Sequence, residues 1–422
     1  MSPFVGYSCS ACGAELDRSV EPRYTCDRCP AEALDVVIDY DAVASRCRPS
    51  RIAERRDRSL WRYAELLPVG LPPAGSGPLC EVGGTPLYPA PRAAAELGIR
   101  HLWLKDDGRL PTGSLKDRAS AIVSVRALEL GVERVIAAST GNAGVAMAAM
   151  AGAAGLSPVV LVPESAPAAK IAQLLVFGAE LYLVRGNYDD AFALSREASR
   201  ELGWYCRNTA YNPFTAEGKK TVAFEICEQL TAELGAPEGE CWRAPDRIYV
   251  SVGDGNIISG LHKGLKDLLA LGWIDQMPRL FGVQAEGSAA IAHAFDAGTE
   301  AIEPVVAKTL ADSIAADRPA DGLRALRAAT TTGGAYVTVS DAAILAAITR
   351  LGRDASVFAE PAAAAAYAGL CQHAEAGAIG ADERVVALIT GNGLKDVGAA
   401  ARATGSAPVI EPTIADLRRA IG

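Results

Sequence analysis

Short apolar runs recur along the chain, each closed by glycine, proline or small polar residues. "HLWLK" (101–105), "VIAAS" (135–139), "PVVLVP" (158–163), "ELYLV" (180–184), "RIYVSV" (247–252), "RLFGVQ" (279–284) and "RVVALIT" (384–390) are of strand length and rich in β-branched residues. Between them lie Ala-rich stretches with helical patterning, at 142–155, 187–203 and 213–235. Strand and helix patterns that alternate in this way predict an α/β fold, with parallel sheets flanked by helices. No solenoid-type repeat is present. In such folds ligands gather beyond the C-terminal ends of the strands, so the loops leading into helices are where chemistry is expected.

Composition narrows the class. The chain has 422 residues, 50% hydrophobic and 22% charged, with a net charge of −9. That length allows two or three domains with sizeable cores. The acidic balance leaves no electrostatic footprint for nucleic acid or an anionic membrane. The apolar runs are far too short to span a bilayer, and no signal-peptide pattern opens the chain, so a cytoplasmic protein is expected. Six of the ten cysteines are scattered singly and read as small buried hydrophobes. The other four fall in "CSAC" (Cys9, Cys12) and "CDRC" (Cys26, Cys29). Two CxxC knuckles can set four thiolates around one Zn²⁺ in a closed structural site, so residues 1–45 are expected to form a zinc-ribbon-like segment. A charged stretch and a Pro/Gly-rich connector follow, from about residue 48 to 78.

Four loops stand at strand-to-helix positions: "LPTGSLKDR" (110–118), "STGNAG" (139–144), "SVGDGNIIS" (251–259) and "TGNGLKD" (390–396). Each alone is ordinary turn and cap chemistry. Together, one of them carrying a lysine, they form a set. The first lacks the GxxxxGK[ST] spacing of a P-loop. "SVGDGNIIS" lacks the third glycine of a dinucleotide fingerprint. A lysine at a ligand site, with Gly-rich amides elsewhere for a single phosphate, suits pyridoxal 5′-phosphate.

At these residues the sequence resembles the threonine synthase family, pyridoxal-phosphate enzymes of fold type II. The same resemblance runs through "SLWRYAELLP", "GGTPL", "NPFTAEGKKTVAFEI" and "FAEPAAAAAYAGL", covering about residues 55 to 396. It implies a tryptophan-synthase-β-like architecture of two open parallel-sheet domains with the cofactor between them. Residues 46–117 and 221–422 would form the large domain and 118–220 a small, mobile one. It implies Lys116 as the Schiff-base lysine and proton shuttle. Asn142 would bond the cofactor's 3′ oxygen. Gly253, Asp254, Gly255, Asn256 and Ile257 would form the phosphate loop, with Thr390 facing the ring nitrogen. Ser114, Ser139, Thr140, Gly141 and Ala143 would approach the substrate. The activity implied is elimination or replacement at Cβ or Cγ of a small L-amino acid, with O-phospho-L-homoserine and water giving L-threonine and phosphate as the best named reaction. A homodimer is expected by the same analogy.

Ala143, Ala210 and Thr215 depart from the family, which commonly has Thr, a polar residue and Arg there. The loss of an arginine clamp on phosphate opens the alternative of a differently substituted amino acid, with Arg207, Arg185 or Lys219 as replacement cations. A non-catalytic pyridoxal-binding or interaction protein is the reading from another class; keeping both Lys116 and Asn142 argues against it. Asp254, inside a loop built for an anion, is expected to point away from the cup and to brace the turn through backbone amides or a cation.

Overall fold

The computed structural model describes residues 2–18, 21–31, 34–236 and 241–421. The N-terminal segment forms an antiparallel sheet of β1 (Phe4–Cys9), β2 (Glu15–Asp17) and β3 (Leu34–Ile38), in the order β2-β1-β3. The chain then lays down β4 (Leu87–Pro89) and β5 (His101–Asp106) of a second sheet. It leaves that sheet to build a third from β6 (Arg134–Ala138), β7 (Ser157–Pro163), β8 (Glu180–Val184) and β9 (Tyr205–Cys206). It returns with β10 (Arg247–Ser251), β11 (Arg279–Ala285), β12 (Ala335–Val339) and β13 (Arg384–Ile389).

The large sheet has the order β12-β11-β10-β13-β5-β4, parallel except for β4 at its edge; the third sheet has the all-parallel order β8-β7-β6-β9. Helices cover both faces of a parallel sheet, so its inner strands are apolar at every position rather than at alternate ones. In β10 all five residues are buried and the three central ones, Ile248, Tyr249 and Val250, are largely apolar, with Arg247 and Ser251 at the ends.

All seven strand runs are found, their ends moved by no more than a residue. The stretch expected as one helix over 213–235 is interrupted at Lys220, giving helices Phe214–Lys219 and Thr221–Glu233. The first of these presses on helix Lys116–Glu129 so closely that a Cβ on Gly218 would lie 2.0 Å from the Arg118 carbonyl oxygen. Only glycine permits that approach.

The N-terminal sheet touches both of the others. Val36 of β3 accepts a bond from Lys263 Nζ (2.7 Å), and the Tyr40 hydroxyl donates to Asp267 (2.8 Å), both on helix Asn256–Ala270. On the other side the Tyr24 ring stacks on Tyr211 at 4.7 Å, and its hydroxyl accepts the Cys206 amide (2.9 Å) at the end of β9.

Candidate active site

The four loops leave the C-terminal ends of β5, β6, β10 and β13. The lysine loop is laced onto the loop after β13: Leu115 donates its amide to Thr390 O (2.9 Å) and Asn392 donates to Gly113 O (2.9 Å), with a bridge pairing Ser114 and Gly391. Lys116 opens the helix that follows. Two neighbours fix it. Asp117 takes the amide and hydroxyl of Thr112, and burial holds its carboxyl up to about 6. Arg118 is fully buried and forks onto Asp107 and Glu225, which also binds Lys105.

Lys116 itself is half-buried and feels the charges of Asp254, Glu360 and Arg207. Burial pulls its ammonium pKa down, the two carboxylates oppose that, and the guanidinium adds to it. Asn142 opens helix Asn142–Ala153 and donates Nδ2 to both Glu360 oxygens, at 3.0 and 3.1 Å. Ser139 Oγ accepts the Gly141 amide (3.3 Å), and Thr140, Gly141 and Asn142 line a cleft of about 260 Å³ with Glu360 and Lys395. Ala143 is half-buried behind them. Thr390 and Ser114 are buried, the Ser114 hydroxyl without a partner.

The turn after β10 is equally constrained. Gly255 has φ +93°, a value glycine adopts freely, and a Cβ on Gly253 would sit 2.7 Å from Ile314 Cα. Helix Asn256–Ala270 follows, its early amides Asn256 and Ile257 beside that turn. Asp254 Oδ1 accepts the Asn256 amide (3.0 Å), so the expected backbone bracing is present. Burial raises the Asp254 carboxyl, and the charges of Lys219, Lys116 and Arg207, with the Asn256 amide, outweigh burial and hold it below the usual range. Asp254 thus acts electrostatically on three cations without forming an ion pair with them among the described residues.

Residues 80–391 match the family of pyridoxal-phosphate dependent enzymes. Over 413 residues the sequence is 39% identical to the threonine synthase of Methanocaldococcus jannaschii, covering 97% of this chain and 98% of that one. It is 39% identical to the threonine synthase of Methanosarcina acetivorans over 415 residues, 98% of each. The chain belongs to the threonine synthase family of pyridoxal-phosphate-dependent enzymes. Threonine deaminase isoform 2 from Solanum lycopersicum shares the fold (TM-score 0.63, 21% identity, 76% of this chain and 83% of that one). Maize serine racemase does too (TM-score 0.61, 21% identity, 74% and 89%), which places the architecture in fold type II.

The residues present fit the cofactor of this family. A half-buried lysine, two buried hydroxyls without partners among the described residues (Ser114 and Ser251) and three cations acting on one carboxylate suit an anionic aldehyde. Glu360 was not among the sequence candidates, although it opens the Ala run "EPAAAAAYAGL" just ahead of Pro361. An acid at the start of an otherwise apolar helix was the available signal. It is 5% exposed, and burial raises its carboxyl pKa against the pull of Asn142 and Lys116. The four N-terminal thiols also meet: Cys9 and Cys29 Sγ are 3.6 Å apart, Cys12 and Cys26 Sγ 3.7 Å, and all four lie within 4.8 Å of one another.

Proposed function

We propose that this enzyme eliminates a leaving group from Cγ or Cβ of a small L-amino acid and adds a nucleophile, with O-phospho-L-homoserine plus water giving L-threonine plus phosphate as the specific reaction. The observation that carries the reading is the half-buried Lys116, on whose amine the charges of Asp254 and Glu360 act, with Glu360 bonded to Asn142. When bound, the cofactor binds an amine through its aldehyde and delocalises negative charge from carbons next to it. Lys116, Asn142, the amides of Gly253–Ile257 and Thr390 would hold it.

The chain's own residues supply the rest. Forming threonine requires protons to leave Cα and Cβ as phosphate departs from Cγ, then one to reach Cγ and one Cα as the hydroxyl of water adds at Cβ and its remaining proton goes to the phosphate. A single amine can make those transfers in turn, and burial lowers the pKa of the Lys116 ammonium, which eases its loss of a proton. Ser139, Thr140 and Gly141 are placed to receive the substrate carboxylate at the mouth of helix Asn142–Ala153.

Arg207 is the cation we assign to the distal phosphate. It is fully buried, its Nε on Ser120 Oγ (3.1 Å) and Nη1 on Thr209 Oγ1 (2.6 Å), while Nη2 has no partner among the described residues. Arg185 is exposed on the surface. Thr215 bonds Asn212 O (2.7 Å) inside its own turn. That missing arginine and the presence of Asp254 favour, as second reading, a substrate with a different distal group. The assay is release of threonine and phosphate from O-phospho-L-homoserine by holoenzyme. Ordinary turnover supports the first reading, and turnover only of other β- or γ-substituted amino acids replaces it with the second.

We also assign one Zn²⁺ to Cys9, Cys12, Cys26 and Cys29. Four thiolates at about 2.3 Å from zinc stand about 3.8 Å apart along each tetrahedral edge, close to the two short spacings here. Metal analysis should give ~1 zinc per chain, and Cys26→Ser should lose it and lower the melting temperature. Full metal content in that variant would remove the assignment.

A further inference from the structure

Lys219 closes the short helix Phe214–Lys219 with no exposed surface. Its Nζ donates to Asn256 Oδ1 at 2.5 Å, and among the described residues it forms no ion pair with a carboxylate. Asn256 is the first residue of the helix behind the Gly253–Gly255 turn. Thr215, one helical turn before Lys219, reaches the same oxygen at 3.3 Å, so the small side chain at 215 shares this acceptor with the ammonium.

The far side of Asn256 is held just as firmly. Its Nδ2 donates to Asp321 Oδ2 (2.8 Å), and Asp321 takes both Nε (2.5 Å) and Nη2 (2.9 Å) of Arg324. Arg324 Nη1 then donates to Asp35 Oδ1 (2.6 Å) on β3 of the N-terminal sheet. A second strand of the connection runs through the backbone, where the Asp321 amide donates to Asp254 O (2.8 Å). Every member between Lys219 and Arg324 is buried.

A buried ammonium whose one bonded acceptor is a neutral amide is costly. Burial drives its pKa down, and Lys116 and Arg207 push it further, while Asp254 and Asp321 oppose them; Asp321 is already engaged by Arg324. A dianionic phosphate seated on the turn beside Asn256 would supply the missing charge. Ser251, at the end of β10 leading into that turn, keeps a buried hydroxyl without a partner.

We propose that Lys219 is the counter-ion of the cofactor's phosphate, and that Asp35, acting through Arg324, Asp321 and Asn256, is the positioning residue that sets it. The inference rests on the pyridoxal-phosphate reading of the site, and its test compares cofactors with and without phosphate. Protein freed of cofactor by dialysis is titrated with pyridoxal 5′-phosphate and with pyridoxal, following the visible absorbance. Lys219→Met should weaken the phosphorylated form at least ~100-fold and pyridoxal less than ~3-fold, while Lys219→Arg keeps most of the preference. Asp35→Asn should weaken the phosphorylated form ~10-fold with pyridoxal unchanged, and Asp35→Glu should restore it.

Equal losses for both ligands in Lys219→Met, or no loss for either, overturn the assignment of Lys219. A lower melting temperature in Asp35→Asn with an unchanged ligand ratio overturns the role of Asp35. Where Lys219→Met does not fold, an unaltered ratio in Lys219→Gln has the same meaning. Borohydride capture of cofactor at Lys116 in these variants shows that the parent reading survives whichever way Lys219 falls.

Discussion

Lys116→Ala is expected to lower turnover by at least ~10⁴-fold and to end covalent capture of the cofactor by borohydride. Two losses combine in that figure. The amine proposed to anchor the cofactor disappears, and so does the proposed base, whose pKa burial lowers. The surrounding structure should survive, because the lysine loop is held by the backbone bonds of Leu115 and Asn392 and by Asp117 on Thr112, none of which involves the Lys116 side chain. The checks are therefore turnover, peptide mapping after borohydride and an unchanged melting temperature. Residual turnover within 100-fold of the parent would move the catalytic base elsewhere, with Lys219 the first place to look.

Glu225→Gln should cost about 3–5 kcal/mol of folding stability, the scale for removing one partner from a buried ionic cluster. Glu225 accepts from Arg118 (2.6 and 2.8 Å) and Lys105 (2.6 Å), all without meaningful exposure. Burial alone would raise its carboxyl pKa, but Arg118 and Lys105 outweigh burial and pull it down to about 2. The sign of the pH dependence follows. A carboxyl whose folded pKa lies below its unfolded value of about 4.3 stabilises fully above that value and loses the contribution as pH falls toward 2. The loss is roughly 3 kcal/mol for a shift of this size. Denaturant unfolding of parent and variant should differ most near neutral pH and converge in acid. Parallel curves down to pH 3 would mean that Glu225 is not the group being titrated. Arg118 follows Lys116 by two residues, so a partly folded variant should also show poorer cofactor loading.

The strands that carry the loops were legible because an apolar run of parallel-sheet strand is conspicuous against polar turns. β9 has two residues and β4 three, too few to make a pattern. β12 sits directly behind Gly333 and Gly334, where it reads as turn. The loops with glycine and a lysine were visible for the same local reason. Glu360, Arg207 and Asp254 were harder, since what matters about each is its neighbours. Asn142 lies 218 residues from Glu360, and Ser120 lies 87 from Arg207. Burial beside a distant partner decides whether an acid braces a turn or balances cations, and no local spacing encodes that.

The pairing of β13 with β5 joins residues about 280 positions apart, His101 against Arg384, while the third sheet draws all its strands from residues 134 to 206. Chain closure over the longer span is entropically later and slower. On a ribosome the compact middle of this protein can therefore settle long before the frame around it closes. The lysine loop also takes backbone bonds from Thr390 and Asn392 and a bridge to Gly391, which are synthesised long after the loop itself. A nascent chain stalled before them carries Lys116 without the bonds that tie its loop to the end of β13.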